Sequence, residues 1–214
     1  MNDHGLATAQ APGYAALLID FDGVLRRWPA SDDAIEIAHG LPIGSLRRIA
    51  FVPALLDQAL AGRITDEQWR EQVAERLRAS YPGSEAEAAV GQWSQPCGQL
   101  DTEVMALLDD CRPDLRLVLV SNATTRLARD LQTLGLSERF DAVVNSSELG
   151  LLKPEPEIFR AAFARAGVEA RQALFVDDDP DNVAAAVALG ARGLRYRDCE
   201  GLRGWLEAAG VLRD

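Results

Sequence analysis

Apolar residues in this chain gather in short unbroken runs that end in polar ones. Ala15–Ile19 is the first run and stops at Asp20; Leu115–Val120, the shorter Ala142–Val144 and Ala173–Val176 repeat the pattern. Such runs suit strands buried on both faces of a parallel sheet, where no position faces water. Segments of helical pattern accompany them at Thr102–Cys111, Thr125–Leu134, Glu157–Ala166 and Asp181–Leu189. Strand alternating with helix predicts an α/β fold, an open parallel sheet with helices on both faces. A last strand over Gly193–Tyr196 and a last helix over Leu202–Ala208 complete it.

Residues 26–98 break that rhythm, with several helical stretches and no convincing strand. Thr65-Asp66-Glu67-Gln68 has the form of a capping box opening a helix that runs to about Ser80. Pro82-Gly83 stops that helix, and Ser84 is placed to cap the next. A helical stretch of roughly 70 residues is too long for an ordinary crossover. The expected organisation is therefore a flexible N-terminal tail over 1–13, a core built from 14–25 and 99–214, and an inserted α-helical subdomain over 26–98.

Composition narrows the partners. A hydrophobic fraction of 48% suits a folded core, and no apolar run approaches the roughly 18–20 residues of a membrane span. Met1–Pro12 lacks the basic cluster and apolar centre of a targeting peptide. A net charge of −11 argues against nucleic acid or an anionic membrane as partner. It also obliges any site for an anionic substrate to carry local cations. Cys97, Cys111 and Cys199 form no metal or redox motif and read as free thiols of a reducing cytoplasm. With only His4 and His39 present, histidine-based zinc chemistry has little footing.

Four polar clusters sit where the predicted strands end, which is where ligands bind in open α/β sheets. In Asp20-Phe21-Asp22-Gly23, residues two apart face the same way, so both carboxylates can share one pocket while Phe21 turns into the core. A divalent cation would relieve their repulsion; a turn capped by the aspartates fits equally well. Ser121-Asn122-Ala123-Thr124, placed between a strand and a helix, reads either as an oxyanion cradle or as plain N-capping. Lys153, in Lys153-Pro154-Glu155-Pro156, is the single lysine among 22 basic residues, and reads either as a tight site where a compact ammonium is not replaceable by guanidinium or as a surface lysine spared by chance. Asp177-Asp178-Asp179 closes the last of the four runs. Asp179 is placed as an N-cap before Pro180, whereas Asp177 and Asp178 have no such structural use.

In order, these clusters resemble the four motifs of the haloacid dehalogenase superfamily of hydrolases, which are mainly phosphatases with a Rossmann-like core. Asp20 and Asp22 match the first motif, Ser121 the second, Lys153 the third and Asp177-Asp178 the fourth. The insert over 26–98 resembles the family's helical cap. The resemblance implies Asp20 as nucleophile, Asp22 as general acid and base, and Lys153 as the neutralising cation. Ser121 and the Asn122 backbone would bind the phosphoryl group. Magnesium would be held by Asp20, Asp22 through its carbonyl, and Asp178, with Asp177 orienting Lys153 or a metal-bound water. The expected activity is hydrolysis of a small phosphorylated metabolite, such as a sugar phosphate or phosphoglycolate, by a cytoplasmic monomer or homodimer.

Three rival readings remain. A 2-haloacid dehalogenase would lack the second aspartate, which Asp22 supplies here; a phosphomutase would retain the phosphoryl group; a non-catalytic binding module would have lost a motif residue. No residue of the insert identifies the substrate. His39 and the Arg47-Arg48 pair are candidates only; Arg26, Arg27, Arg47, Arg48 and Arg63 could assist at the mouth of a site but are read as solvated charges, and Trp28, Trp69 and Trp93 as core rather than substrate platforms.

Overall fold

The computed structural model describes residues 13–213; apart from Gly13, the expected tail over 1–13 lies outside them. Strand β1 (Ala16–Ile19) opens the core and leads to a two-residue strand β2 (Arg26–Arg27). Five helices follow: α1 (Asp33–Ala38), α2 (Ser45–Ala50), α3 (Pro53–Leu60), α4 (Asp66–Ser80) and α5 (Ala86–Trp93). Strand β3 (Gln99–Leu100) then returns antiparallel to β2. The core resumes with α6 (Thr102–Asp109), β4 (Arg116–Ser121), α7 (Leu127–Thr133), β5 (Ala142–Asn145), α8 (Ser146–Leu149) and α9 (Pro156–Ala166). It ends with β6 (Ala173–Asp177), α10 (Pro180–Ala188), β7 (Arg192–Arg195) and α11 (Cys199–Ala208).

The five-stranded sheet has the order β5-β4-β1-β6-β7 and is parallel throughout. Alternate residues of each apolar run serve opposite faces, as the two-residue period of a strand requires. Leu17, Ile19, Leu117, Leu119, Leu174 and Val176 pack with helices α6, α7 and α11 on one side. Ala16, Leu18, Val118, Val120, Ala173 and Phe175 pack with α9 and α10 on the other. Phe21 is buried in the first of these clusters. The register pairs Ile19 with Leu119 and with Val176, so Asp20 comes level with Val120 on one side and Asp177 on the other.

The helices between β2 and β3 enclose a separate apolar cluster built on Leu46, Leu55, Trp69, Val73, Leu77 and Val90. Trp69, Val73 and Leu77 recur every four residues along the buried face of α4. The Thr65–Gln68 capping box forms as expected. Polar contacts seat this unit on the core. Ser146 Oγ donates to the Leu60 carbonyl at 2.7 Å and accepts from the Ala123 N–H at 3.0 Å. Thr124 Oγ1 donates to Asp66 at 2.7 Å, and Arg126 donates to the Ser94 and Pro96 carbonyls at 2.6 and 2.8 Å.

The structure departs from the sequence pattern in several places, among them a short helix α8 that no periodicity announced. β2 lies inside the segment read as strandless, and two residues give no periodicity to detect. Ser84 does not cap α5; its hydroxyl donates to the Tyr81 carbonyl, and Glu85 takes the cap position. Helix α7 begins at Leu127, not Thr125, because Thr124 and Arg126 are engaged with the insert. Helix α11 begins at Cys199, three residues early, where the Asp198 carboxylate accepts from the Gly201 N–H. Among the described residues no helix is long and apolar enough to cross a membrane.

Gly62 marks the tightest point of the seam. It has φ +65°, and a Cβ there would collide with the Ser147 carbonyl. Gly62→Ala should therefore destabilise the chain by more than the ~1–2 kcal/mol of the left-handed backbone alone. Urea unfolding followed by tryptophan fluorescence measures this; an unchanged midpoint would mean that the seam is looser than its geometry.

Candidate active site

The carboxyl ends of β1, β4 and β6 meet around one ammonium. Lys153, carried in by the loop between α8 and α9, places Nζ 2.7 Å from Asp20 Oδ1 and 2.7 Å from Asp177 Oδ2. The same Nζ donates to the Val120 carbonyl at 2.9 Å, so all three strand ends contribute an acceptor. Lys153 is 5% exposed, Asp20 6% and Asp177 0%, which makes this a buried ion network. A guanidinium would not fit three acceptors converging on one nitrogen, which accounts for the lone lysine of an arginine-rich chain.

Each member is held by a further contact. The Asn122 side chain donates to the Lys153 carbonyl at 2.9 Å and accepts from the Lys153 N–H at 2.8 Å. Asp177 accepts from Asn182 Nδ2 at 3.1 Å on both oxygens and from the Asp179 N–H at 2.8 Å. Asp20 Oδ1 accepts from the Phe21 N–H at 2.7 Å. Asp179 caps α10 through the Asp181 N–H, with Pro180 in the first turn, as its position in the sequence suggests.

Oxygens of Asp20, Asp177 and Asp178 lie within 4.8 Å of one another. Three carboxylates face one ammonium, so the cluster is short of positive charge. Burial pushes the Asp20 carboxyl up to about 7, with Asp177 adding to the rise and Lys153 only partly opposing it. Burial and the adjacent Asp177 push Asp178 up as well. Burial works to lower the Lys153 pKa, but Asp20 and Asp177 more than offset it and hold it above its ordinary value. Two details fit a hard divalent cation and an oxyanion here. A Cβ on Gly23 would collide with the Asp178 carboxylate, so the glycine is what admits that group beside the first motif. Ser121 Oγ is buried at the end of β4 and has no hydrogen-bond partner among the described residues.

Asp22 stands apart from this cluster. Its carboxylate is gripped by Arg26, with Nε at 2.7 Å from Oδ1 and an NH2 group at 2.8 Å from Oδ2, and Trp28 Nε1 donates to Oδ1 at 2.7 Å. Arg26 itself is 4% exposed, bonded also to Asp130 at 2.8 Å, with its guanidinium over Phe21 and Trp28. The reading of Arg26 as a solvated charge is thus corrected: two aspartates and two ring faces satisfy it inside the protein. Trp28, read as core, is 43% exposed. Asp130, and the pairing of Arg26 with it, carry no signal in the sequence, because 104 positions separate the two residues.

Removing the ammonium should unmask the clustered carboxylates. Lys153→Met should cost about 3–5 kcal/mol, the usual penalty for breaking one side of a buried pair. Because burial raises the Asp20 pKa, the folded state holds this proton more tightly than the unfolded chain. Stability is then kept at low pH and lost as pH rises toward 7 and beyond. The deficit in urea unfolding should accordingly be smaller at pH 5 than at pH 8; equal deficits would mean that Lys153 does not neutralise Asp20.

The family model for haloacid dehalogenase-like hydrolases matches residues 14–190. A phosphatase from Mycobacterium tuberculosis is 27% identical over 208 residues, covering 94% of this chain and 90% of that protein. Haloacid dehalogenase-like hydrolase domain-containing protein 3 from Homo sapiens is 39% identical over 148 residues, covering 66% of this chain. The match spans about half of that human relative, 52%, and 29% of its Mus musculus counterpart. A solved haloacid dehalogenase family enzyme from Bacteroides thetaiotaomicron, in complex with magnesium and inorganic phosphate, shares the fold. Its TM-score is 0.64 over 89% of this chain and 99% of that one, at 22% identity. With the parallel sheet, the four ordered motifs and a family match over most of its length, the chain belongs to the haloacid dehalogenase-like hydrolases.

Proposed function

We propose that the protein is a magnesium-dependent phosphatase that hydrolyses a phosphate monoester through Asp20. The observation that carries this is the buried Asp20–Lys153–Asp177 network, short of positive charge, beside an unpartnered Ser121 hydroxyl. Phosphoryl transfer asks a protein chiefly for positioning and charge stabilisation, and this cluster is built for both. Magnesium and phosphate bound to the Bacteroides relative, and phosphatase activity in the name of the mycobacterial one, support the same reading.

In this reading an Asp20 oxygen attacks phosphorus, the P–O bond to the alcohol breaks, and an aspartyl-phosphate forms. Asp22 gives its proton to the departing alkoxide, then takes one from the water that hydrolyses the intermediate and returns Asp20. Lys153 and the Phe21 N–H hold Asp20 Oδ1 and so fix the attacking carboxylate. Ser121 Oγ and the Asn122 N–H receive the phosphoryl oxygens, while the Asn122 side chain keeps Lys153 in place. Asp20, Asp178 and the Asp22 carbonyl would hold the magnesium ion, with Asp177 free to orient Lys153. When bound, the ion supplies positive charge to the phosphoryl oxygens and neutralises the clustered carboxylates. For Asp22 to act, its carboxylate must leave Arg26 and Trp28. The helical insert, in this reading, is a cap over the site that chooses the substrate.

Magnesium at a hundred times its Kd should stabilise the folded chain by about 2.7 kcal/mol. That corresponds to roughly 5–10 °C in thermal midpoint for a protein of this size. Chelator should reverse the shift and Asp178→Asn should remove it; a shift that survives Asp178→Asn would take that residue out of the ligand set. With magnesium present the protein should release inorganic phosphate from an aryl phosphate, and chelator should stop it. Asp20→Asn should abolish release while the unfolding midpoint persists, and Asp22→Asn should lower kcat about 10²–10⁴-fold. Transfer of the phosphoryl group between sugar positions without net release would point to a mutase instead.

A further inference from the structure

A cavity of about 610 Å³ lies between the insert and the loops of the core, within the roughly 300–1,000 Å³ common for small-molecule sites. At one edge it reaches Asp22, Asn122 and Thr124, which places it next to the reaction centre. Its walls are aromatic and aliphatic, with Trp28, Phe51, Leu56, Leu60, Trp69 and Trp93 among them. Phe51, Trp69 and Trp93 form a mutually tilted cluster, with centroids 6.4, 6.4 and 5.6 Å apart. Phe51 is nevertheless 50% exposed and Trp28 43% exposed. Large apolar side chains left open around a concavity mark a surface that something apolar covers.

The charged residues of the cavity sharpen the choice of ligand. Four arginines line it, and each is already answered by an aspartate of the same wall. Arg26 pairs with Asp22 at 2.7 Å and Asp130 at 2.8 Å, and Arg126 with Asp130 at 2.7 Å. Arg47 pairs with Asp32 at 2.9 Å and Arg70 with Asp66 at 2.5 Å. The polar groups nearest the reaction centre are committed as well: Thr124 Oγ1 donates to Asp66, and the Asn122 amide is bonded to Lys153. Even with Asp22 released, Arg26 keeps its pair with Asp130, so an alcohol bearing a carboxylate or a second phosphate would find every cation here already paired, and a polyhydroxylated one few free partners; burying either is costly.

Resting on the phosphatase reading, we infer that the alcohol released is uncharged and predominantly apolar, an aryl-alkyl or long-chain alkyl group seated against Trp28, Phe51 and Trp93. This narrows the class away from phosphoglycolate and sugar phosphates. The test is kcat/KM of the full chain with magnesium on primary alkyl phosphates, whose leaving groups have comparable reactivity. Ethyl, hexyl, decyl and 2-(2-naphthyl)ethyl phosphates are compared with phosphoglycolate, phosphoserine and glucose 6-phosphate. Efficiency should rise at least tenfold from ethyl to the naphthylethyl ester, and the latter should exceed each polar ester at least tenfold. Phe51→Ala should reduce the naphthylethyl-to-ethyl ratio at least fivefold, and Trp28→Ala, at the Asp22 end of the cavity, should reduce it too. A flat series, or a preference for any polar ester, overturns the inference while leaving the phosphatase reading intact. If no ester is hydrolysed, the phosphatase reading fails, and 2-(2-naphthyl)ethanol binding followed by tryptophan fluorescence decides the cavity. Saturable binding weakened at least tenfold in Phe51→Ala supports an apolar site, and absence of binding overturns it.

Discussion

One ammonium, the Nζ of Lys153, is shared by the ends of three neighbouring strands. It is bound to Asp20 after β1, to the Val120 carbonyl in β4 and to Asp177 at the end of β6. Repulsion between Asp20 and Asp177 would otherwise push the carboxyl end of the sheet apart or force a carboxyl to stay protonated. The sheet register brings the two acids level, and the lysine makes that register tolerable. The Asn122 amide, bonded to both backbone groups of Lys153, fixes where the ammonium arrives. Core packing, the gathering of the motifs and the electrostatics of the site thus converge on one cation that cannot be exchanged for the chain's more common arginine.

The charges around this centre fall into two kinds. At the sheet end, carboxylates outnumber cations, and burial, reinforced by Asp177, shifts Asp20 and Asp178 upward. In the cavity beyond, arginines and aspartates answer one another one by one. The first region, short of positive charge, suits the cation and phosphate oxygens proposed for it. The second presents apolar surface with its charges internally settled. The strongly negative chain can therefore address an anionic group at one locus without a positively charged surface elsewhere.

Strand positions and the order of the polar clusters were legible in the sequence because they are local. A strand buried on both faces must be apolar throughout, and its end must turn polar where a ligand is met. Asp179 and Pro180 announced the start of α10 in the same way. What escaped was pairing at a distance. Arg26 reaches Asp130 across 104 positions, Asn122 reaches Lys153 across 31, and Thr124 reaches Asp66 across 58. Nothing in the neighbourhood of Arg26 distinguishes a buried guanidinium from the exposed Arg27 beside it. Trp28 escaped for a related reason: Trp69 is core as read, while Trp28 and Phe51 border open space, and composition alone does not separate them.

Arg26 also belongs to the ribbon of β2 and β3, through which the chain enters and leaves the helical unit. The side chain that grips Asp22 is thus mounted on the ribbon that joins the insert to the core, while the grip on Asp20 comes from Lys153 and the core. A shift of the ribbon would act on the Asp22 contact and not on that of Asp20. In the proposed reaction, attack on phosphorus would then depend on the folded sheet, and delivery of the proton on the ribbon that carries Arg26.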